Sequence, residues 1–423
     1  MAPDARAAAP LPRAFRPGAL RVNVLLCSSF LHPRGGDTTC VYAMWHGLEA
    51  RGHTVAPFAM RHPANLPSPW EVRFPPQLDV WSVRGVARLA AVAASIHSFA
   101  AARAMTALLA DHRPDVAHLH HVHRHLTPSI LEPLRKAGVP VVWTVHDYEL
   151  ICANGQLYTQ GAPCTRCKGH AYDNAVRYRC KRDDLAQSAA VALEKWVHAR
   201  MGLWTRVDRF LCPSRFLAEQ LVAFGVPADR VTHLPNPVLP APAGGPIGDH
   251  WLYAGRLSPE KGVDDLLDAA RRLPARLLHV YGDGPERARL ERTAPPNVRF
   301  FGNVPPLRLA AALREAGVVA VPSRWPENFP YAVLEGQLAG RAVVASAVGG
   351  IPEQIDDGVD GVLVPPSTPA RLADAVEALL SDRAHAARLG ARGRERVLRD
   401  RAVDPFITRL EAIYRHPSDH VVV

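Results

Sequence analysis

Residues 234–255 read LPNPVLPAPAGGPIGDHWLYAG, and this stretch decides how the chain is built. Five prolines and three glycines fall within 234–249, where they break both helix and strand. The apolar run HWLYAG (250–255) then starts a new pattern. Residues 236–248 are therefore expected to be a linker between two domains. Upstream, short apolar runs rich in β-branched residues fall at 21–27, 53–58, 115–121, 139–145 and 207–212. Downstream they fall at 250–255, 276–281, 298–302, 317–321, 341–346 and 361–364. Helical patterns lie between them at 36–51, 86–111, 261–273, 306–315, 330–339 and 369–381. Near-continuous apolar strands alternating with helices predict α/β domains with doubly wound parallel sheets covered on both faces. Two such Rossmann-like domains facing each other would hold a ligand in the cleft between them, at the carboxyl ends of the strands.

The boundaries follow from this pattern. Residues 1–20 read as a disordered tail and 21–235 as the N-terminal domain, with a cysteine-bearing insertion at 152–180. The C-terminal domain covers 249–400. Residues 401–415 form a helix, with Phe406, Leu410 and Ile413 on one face; a place on the second domain and a return to the first are both open. Residues 416–423 read as frayed. The composition of the 423 residues, 48% hydrophobic and 21% charged, excludes wholesale disorder. No apolar run is long enough to span a bilayer, and the Pro- and Arg-dotted start lacks the apolar region of a secretory signal. The expectation is a cytoplasmic protein with reduced thiols.

The chemistry concentrates in PSRWPENFPYAVLEGQLAG (322–340). Glu327 sits in a loop after a predicted strand, Pro330 suits the first turn of a helix, Glu335 lies inside it, and Gly340 suits its end. The two carboxylates would reach the two ends of an elongated ligand whose diphosphate sits at the helix N-terminus, an anion site by its free N–H groups and dipole. No Asp-x-Asp occurs in the chain. A leaving diphosphate would then be stabilised by fixed cations and amides rather than by a bridging divalent cation.

ENFPYAVLE (327–335) resembles the Glu-x7-Glu pattern of the retaining family 4 glycosyltransferases, which have the GT-B fold. Three further stretches resemble that family in the right order: PRGGDTTCVYAMWHGLEARGHTV (33–55), YAGRLSPEKG (253–262) and VYGDGPE (280–286). The resemblance implies a GT-B enzyme that moves a sugar from a nucleoside-diphosphate sugar to a hydroxyl acceptor with retention, using no cofactor. It implies that Glu335 holds the ribose, Arg256 and Lys261 the diphosphate, and Glu327 the sugar. Gly282, Asn328 and Phe329 would complete the donor site, with Gly35 and Gly36 of the first domain approaching the donor. His146, in VVWTVHDYELI (141–151), would stand by the reacting carbon. Glycan, glycolipid and small-molecule acceptors all fit, in glycan, glycolipid or cell-surface polysaccharide synthesis. Pro330 departs from the Gly common in the family, which leaves the sugar open. A sugar-nucleotide epimerase of the same two-domain fold is the alternative. A nicotinamide dehydrogenase is disfavoured, since neither half carries Gly-x-Gly-x-x-Gly after a strand.

Two features lie outside that pattern. Cys152, Cys164, Cys167 and Cys180 follow His146 in a polar stretch; they either close a four-thiolate structural zinc site or stay as reduced, packed thiols. In HLHHVHRHL (118–126), a strand would put His118 and His120 on one face and His121 and His123 on the other, so four ligands do not gather. The charge is also uneven. Of 50 Lys and Arg against 40 Asp and Glu, residues 1–235 hold 27 and 17, so the whole surplus of +10 lies there. That points to an anionic acceptor or to peripheral attachment at the inner membrane face, with Arg84, Arg88 and Arg103 as contacts, rather than to nucleic acid.

Overall fold

The computed structural model describes residues 21–33, 35–78, 83 and 85–418. The expected tail 1–20, Arg84 and residues 419–423 lie outside the described residues. Fourteen strands are described, in chain order: β1 (Asn23–Cys27), β2 (Thr54–Phe58), β3 (Val116–Leu119), β4 (Val141–Thr144), β5 (Tyr158–Thr159), β6 (Ala162–Pro163), β7 (Arg209–Cys212), β8 (Val231–His233), β9 (Trp251–Ala254), β10 (Leu278–Tyr281), β11 (Val298–Gly302), β12 (Val318–Val321), β13 (Ala342–Ser346) and β14 (Val362–Val364). They make two six-stranded sheets, ordered β2-β1-β3-β4-β7-β8 and β11-β10-β9-β12-β13-β14, whose described pairings are parallel. β5 and β6 pair with each other as a small antiparallel hairpin. Pro57 is tolerated inside β2 because that strand is at a sheet edge.

By packing, the chain divides into two compact units, residues 1–144, 205–209 and 403–422 in one and 145–204 with 210–402 in the other. In the first unit the helix Val403–Arg415 packs against the helix Gly36–Ala50. Gly47 makes the approach possible: a Cβ there would lie 2.6 Å from Val403 and 2.8 Å from Ile407. Arg51 donates to Glu411 and to the Asp404 carbonyl, and the His53 ring lies 2.9 Å from Glu411. The buried His118 ring bridges the hydroxyls of Tyr414 and Thr144, at 2.6 and 2.7 Å.

In the second unit the period of two along each strand sorts the core onto both faces of the sheet. Trp251, Tyr253, Leu278, Val280, Val318, Ala320, Ala342 and Val344 face one apolar cluster with the helices Val263–Arg272 and Pro369–Ser381. Leu252, Tyr281, Val319, Val321, Val343 and Ala345 face the other.

Two sequence expectations need correcting. The single helix read at 86–111 is two, Gly85–Ile96 and Phe99–Asp111, because the Ser98 hydroxyl caps the second by accepting from the Ala101 N–H. Pro330 does not open its helix from inside. It is the extended residue just before Tyr331–Leu338, at φ −66° and ψ 124°. Gly340 takes the left-handed conformation (φ 69°) just beyond that helix, as its end requires.

Candidate functional site

The residues singled out in the second half all follow the carboxyl ends of neighbouring parallel strands. Arg256 and Lys261 follow β9, Gly282 follows β10 and Glu327 follows β12. Since β10, β9, β12 and β13 are adjacent, their loops form one edge. These loops meet backbone to backbone. Gly262 (φ 70°) stands where a Cβ would lie 1.9 Å from the Pro322 carbonyl oxygen. Gly282 (φ 118°) stands where one would lie 2.0 Å from that of Gly255. Only glycine fits either place.

Glu327 is the centre of the edge. It is 4% exposed, and its Oε1 accepts from Lys261 Nζ at 2.8 Å and from the Ser323 hydroxyl at 2.5 Å. The Lys261 ammonium also lies 5.0 Å from the centre of the Trp325 ring. From β13, Gly350 N–H donates to the Glu327 carbonyl at 2.7 Å, and Gly349 packs where a Cβ would strike the same peptide. The carboxylate is therefore fixed by its own backbone, a serine and a lysine.

The next residue ties in the strand end that carries His146. The Asn328 amide donates to the carbonyls of Val145 at 3.1 Å and His146 at 3.0 Å, and its oxygen accepts from the Ser214 hydroxyl at 2.8 Å. The structure thus ties the main chain at His146 to the residue next to Glu327. The Asn328 side chain serves as this tether and not as a free ligand. Phe329 is buried, with the Arg401 guanidinium 5.4 Å from its ring centre.

Arg256 is exposed and has no ionic partner among the described residues. Glu335 has no hydrogen-bond or ionic partner among them either, and burial pushes its carboxyl up to about 7. Gly35 and Gly36 belong to the first unit, where they open the helix Gly36–Ala50 behind β1. There Thr38 Oγ1 donates to the Gly35 carbonyl at 2.8 Å and accepts from the Gly35 N–H. Nearby, His121 pairs with Asp37 at 2.9 Å.

Sequence reasoning missed several participants. Ser323 and Trp325 lie inside the quoted motif, but nothing in their spacing marks their contacts. Tyr148 is buried with no hydrogen-bond partner for its hydroxyl among the described residues; burial, then the negative charge of Glu327, holds that phenol well above its ordinary range. Arg324 makes a two-pronged pair with Asp265, 2.6 Å on each arm. The one legible signal was SAVGG (346–350), a glycine pair directly after a strand.

The four insertion cysteines line one small cavity with Leu157, Tyr158 and Phe224. Burial pushes the Cys167 thiol up to about 12, the other three thiols adding to the effect.

Comparison with known proteins gives the following. Residues 249–396 match the family described as glycosyl transferases group 1, and residues 34–241 match glycosyltransferase family 4. The D-inositol 3-phosphate glycosyltransferase of Nocardia farcinica is 38% identical over 156 residues, covering 33% of this chain and 34% of that protein. The chain spans between about a third and about a half of the length of the curated relatives that head the comparison. Among solved structures, a sucrose-phosphate synthase from Thermosynechococcus elongatus superposes with a TM-score of 0.69 at 21% identity, over 94% of this chain and 99% of that one. The Anabaena protein HepE, solved with UDP-glucose, gives 0.61 at 16% identity, over 93% and 100%. At such identities these two likenesses speak for the fold alone.

Proposed function

Since this chain belongs to the family 4 glycosyltransferases of the group 1 type, we propose that it transfers a glycosyl group from a nucleoside-diphosphate sugar to a hydroxyl acceptor, with retention and without a bridging metal ion. The observation that carries this reading is the Lys261–Glu327 pair, fixed by Ser323 and joined through Asn328 to the His146 strand end. A reaction that expels a diphosphate needs cationic groups standing ready before the bond breaks. Lys261 is held by Glu327, and Arg256 stands exposed with no ionic partner among the described residues. Together they would meet the two negative charges of the leaving group. Glu327 would accept from hydroxyls of the transferred sugar, and Glu335 from the ribose. In a retaining transfer the acceptor attacks on the face that the diphosphate leaves. The acceptor's proton passes to a departing phosphate oxygen as the new glycosidic bond forms. The imidazole of His146 would steady charge developing at the sugar.

Uridine diphosphate sugars are the first donors to test, because HepE was solved with UDP-glucose. An anionic or membrane-borne acceptor is supported by the surplus of basic residues before position 236. Among the described residues no single helix is long and apolar enough to cross a membrane. The decisive assay is a thermal-shift panel of uridine, guanosine and adenosine diphosphates, followed by transfer from the matching nucleotide sugar. At a hundredfold excess over Kd, the right nucleotide should stabilise by about 2.7 kcal/mol. No shift with any of them would overturn the reading. Conversion of the donor into its epimer with no acceptor present would favour an epimerase instead.

A further inference from the structure

We propose that Phe216 and Tyr148 are positioning residues for Lys261: with Trp325 they form a column of rings that fixes where the ammonium stands. The inference rests on the glycosyltransferase reading above only for the task of Lys261, the holding of a diphosphate. The rings follow one another edge to face. Phe216 meets Tyr148 with ring centres 6.3 Å apart and planes at 85°, and Tyr148 meets Trp325 at 6.3 Å and 90°. Both separations lie in the range where perpendicular aromatic pairs attract. Lys261 Nζ lies 5.0 Å from the centre of the Trp325 ring while it donates to Glu327 at 2.8 Å.

Both ends of the column are anchored through the backbone. At the outer end, the Glu353 carboxylate accepts from the N–H groups of Arg215 and Phe216, each at 2.8 Å. These are the first free donors of the helix Arg215–Ala223, where the dipole also favours a negative charge. The Ser214 hydroxyl caps the same turn by accepting from the Leu217 N–H. The main chain that carries Phe216 is thus pinned. At the inner end, the N–H groups of Arg324 and Trp325 donate to the Glu260 carbonyl at 2.9 and 3.3 Å, one residue before Lys261.

The middle ring is the best enclosed. Tyr148 is fully buried and its hydroxyl has no hydrogen-bond partner among the described residues, so this side chain acts through its ring. Its phenol senses both ends of the column: burial first, then Glu327, and after it Asp147 and Glu353, hold it well above its ordinary range. A lysine is a point charge on a flexible stem. Held by Glu327 alone, the stem would pivot about one contact. The indole face supplies a second, and Tyr148 and Phe216 keep that face from tilting. The ammonium then stands ready before a diphosphate arrives.

The test compares single and double variants of the full chain. Phe216→Leu, at a half-buried position, should raise the Kd for the nucleoside diphosphate by about fivefold or more and leave that for the nucleoside within about twofold. Lys261→Met should show the same selectivity, and adding Phe216→Leu to it should change the diphosphate Kd by less than about twofold. Tyr148→Leu should behave as Phe216→Leu does, and Tyr148→Phe, which keeps the ring, should recover most of that loss. Equal losses for diphosphate and nucleoside, or the same loss with and without Lys261, would overturn the proposal. A wild-type chain that binds no nucleoside diphosphate would sink the functional reading alone, and denaturant melts then decide on the column. The midpoint shift caused by Phe216→Leu should fall to about half or less in the Lys261→Met background. An undiminished shift there would overturn the proposal.

Discussion

Glu335 is a carboxylate that the proposed donor site needs charged and that its surroundings prefer neutral, and the conflict is measurable. Its carboxyl stands at about 7 instead of 4.5, burial being the cause. The shift corresponds to up to about 3 kcal/mol against the charged form, less in practice because the residue keeps some access to solvent. The sign follows from proton linkage. Between pH 4.5 and 7 the folded chain keeps a proton that the unfolded chain has released, so stability falls across that window and stays down above it. Glu335→Gln removes the titration while keeping size and hydrogen-bonding shape. The variant should match the wild type near pH 4.5 and exceed it by about 1–3 kcal/mol at pH 8, a rise in Tm of roughly 1–4 °C for a chain of this length. Denaturant melts at half-unit steps from pH 4.5 to 8.5 would trace the difference. The same variant should bind the nucleoside diphosphate more weakly. In the wild type, nucleotide-induced stabilisation should be smaller at pH 6 than at pH 8, because only the carboxylate accepts from both ribose hydroxyls. A difference between variant and wild type that stays flat with pH, or a variant less stable at pH 8, would refute the reasoning.

The remaining predictions are more direct. Lys261→Ala should lower kcat/KM by on the order of 10²- to 10³-fold and lower Tm, since it leaves Glu327 buried with only Ser323; a wild-type rate would remove Lys261 from the site. Asn328→Ala should lower kcat on the order of tenfold or more by loosening the His146 strand end, while the Kd for the nucleoside diphosphate stays within about twofold; a loss confined to Kd would mean that Asn328 touches the nucleotide itself. The helix Gly85–Ile96 exposes Val86 and Leu89, at 82% and 71%, beside Arg88. Co-sedimentation with vesicles containing anionic lipid should therefore occur at low salt and be lost in Arg88→Glu/Leu89→Ser; absence of wild-type binding would confine attraction to the acceptor.

The strands of both sheets were legible to within about two residues because their apolar runs are nearly unbroken, and β7, β9, β10, β12 and β14 are followed directly by Gly or Pro. β8 is three residues long and passed unnoticed. The helices Leu185–Arg200 and Arg383–Asp400 escaped because buried polar side chains such as Glu194, Lys195 and His198, and many exposed Arg, blur the apolar stripe. The break at Ser98 is a choice between continuing a helix and capping a new one, which Ala-rich flanks do not reveal. In the site, residue types announced Glu327, Glu335, Arg256 and Lys261. The Asn328 tether spans 182 residues of sequence, so only the fold displays it. The tight glycines after β10 and β13 stand between these cases. The residue type shows in the sequence, but the carbonyl it must clear belongs to another loop.

The seating of the helix Val403–Arg415 against Gly47 sets a timetable for biosynthesis. Arg51 meets Glu411 across 360 residues of sequence. At a synthesis rate of about 5–20 residues per second, roughly 20–70 s pass between making one partner and making the other. Through that interval the groove around Gly47 and the Tyr414 side of His118 stand open. The unit translated first thus closes after the second, and a growing chain must shield that surface, or have it shielded by a chaperone, until the helix Val403–Arg415 leaves the ribosome.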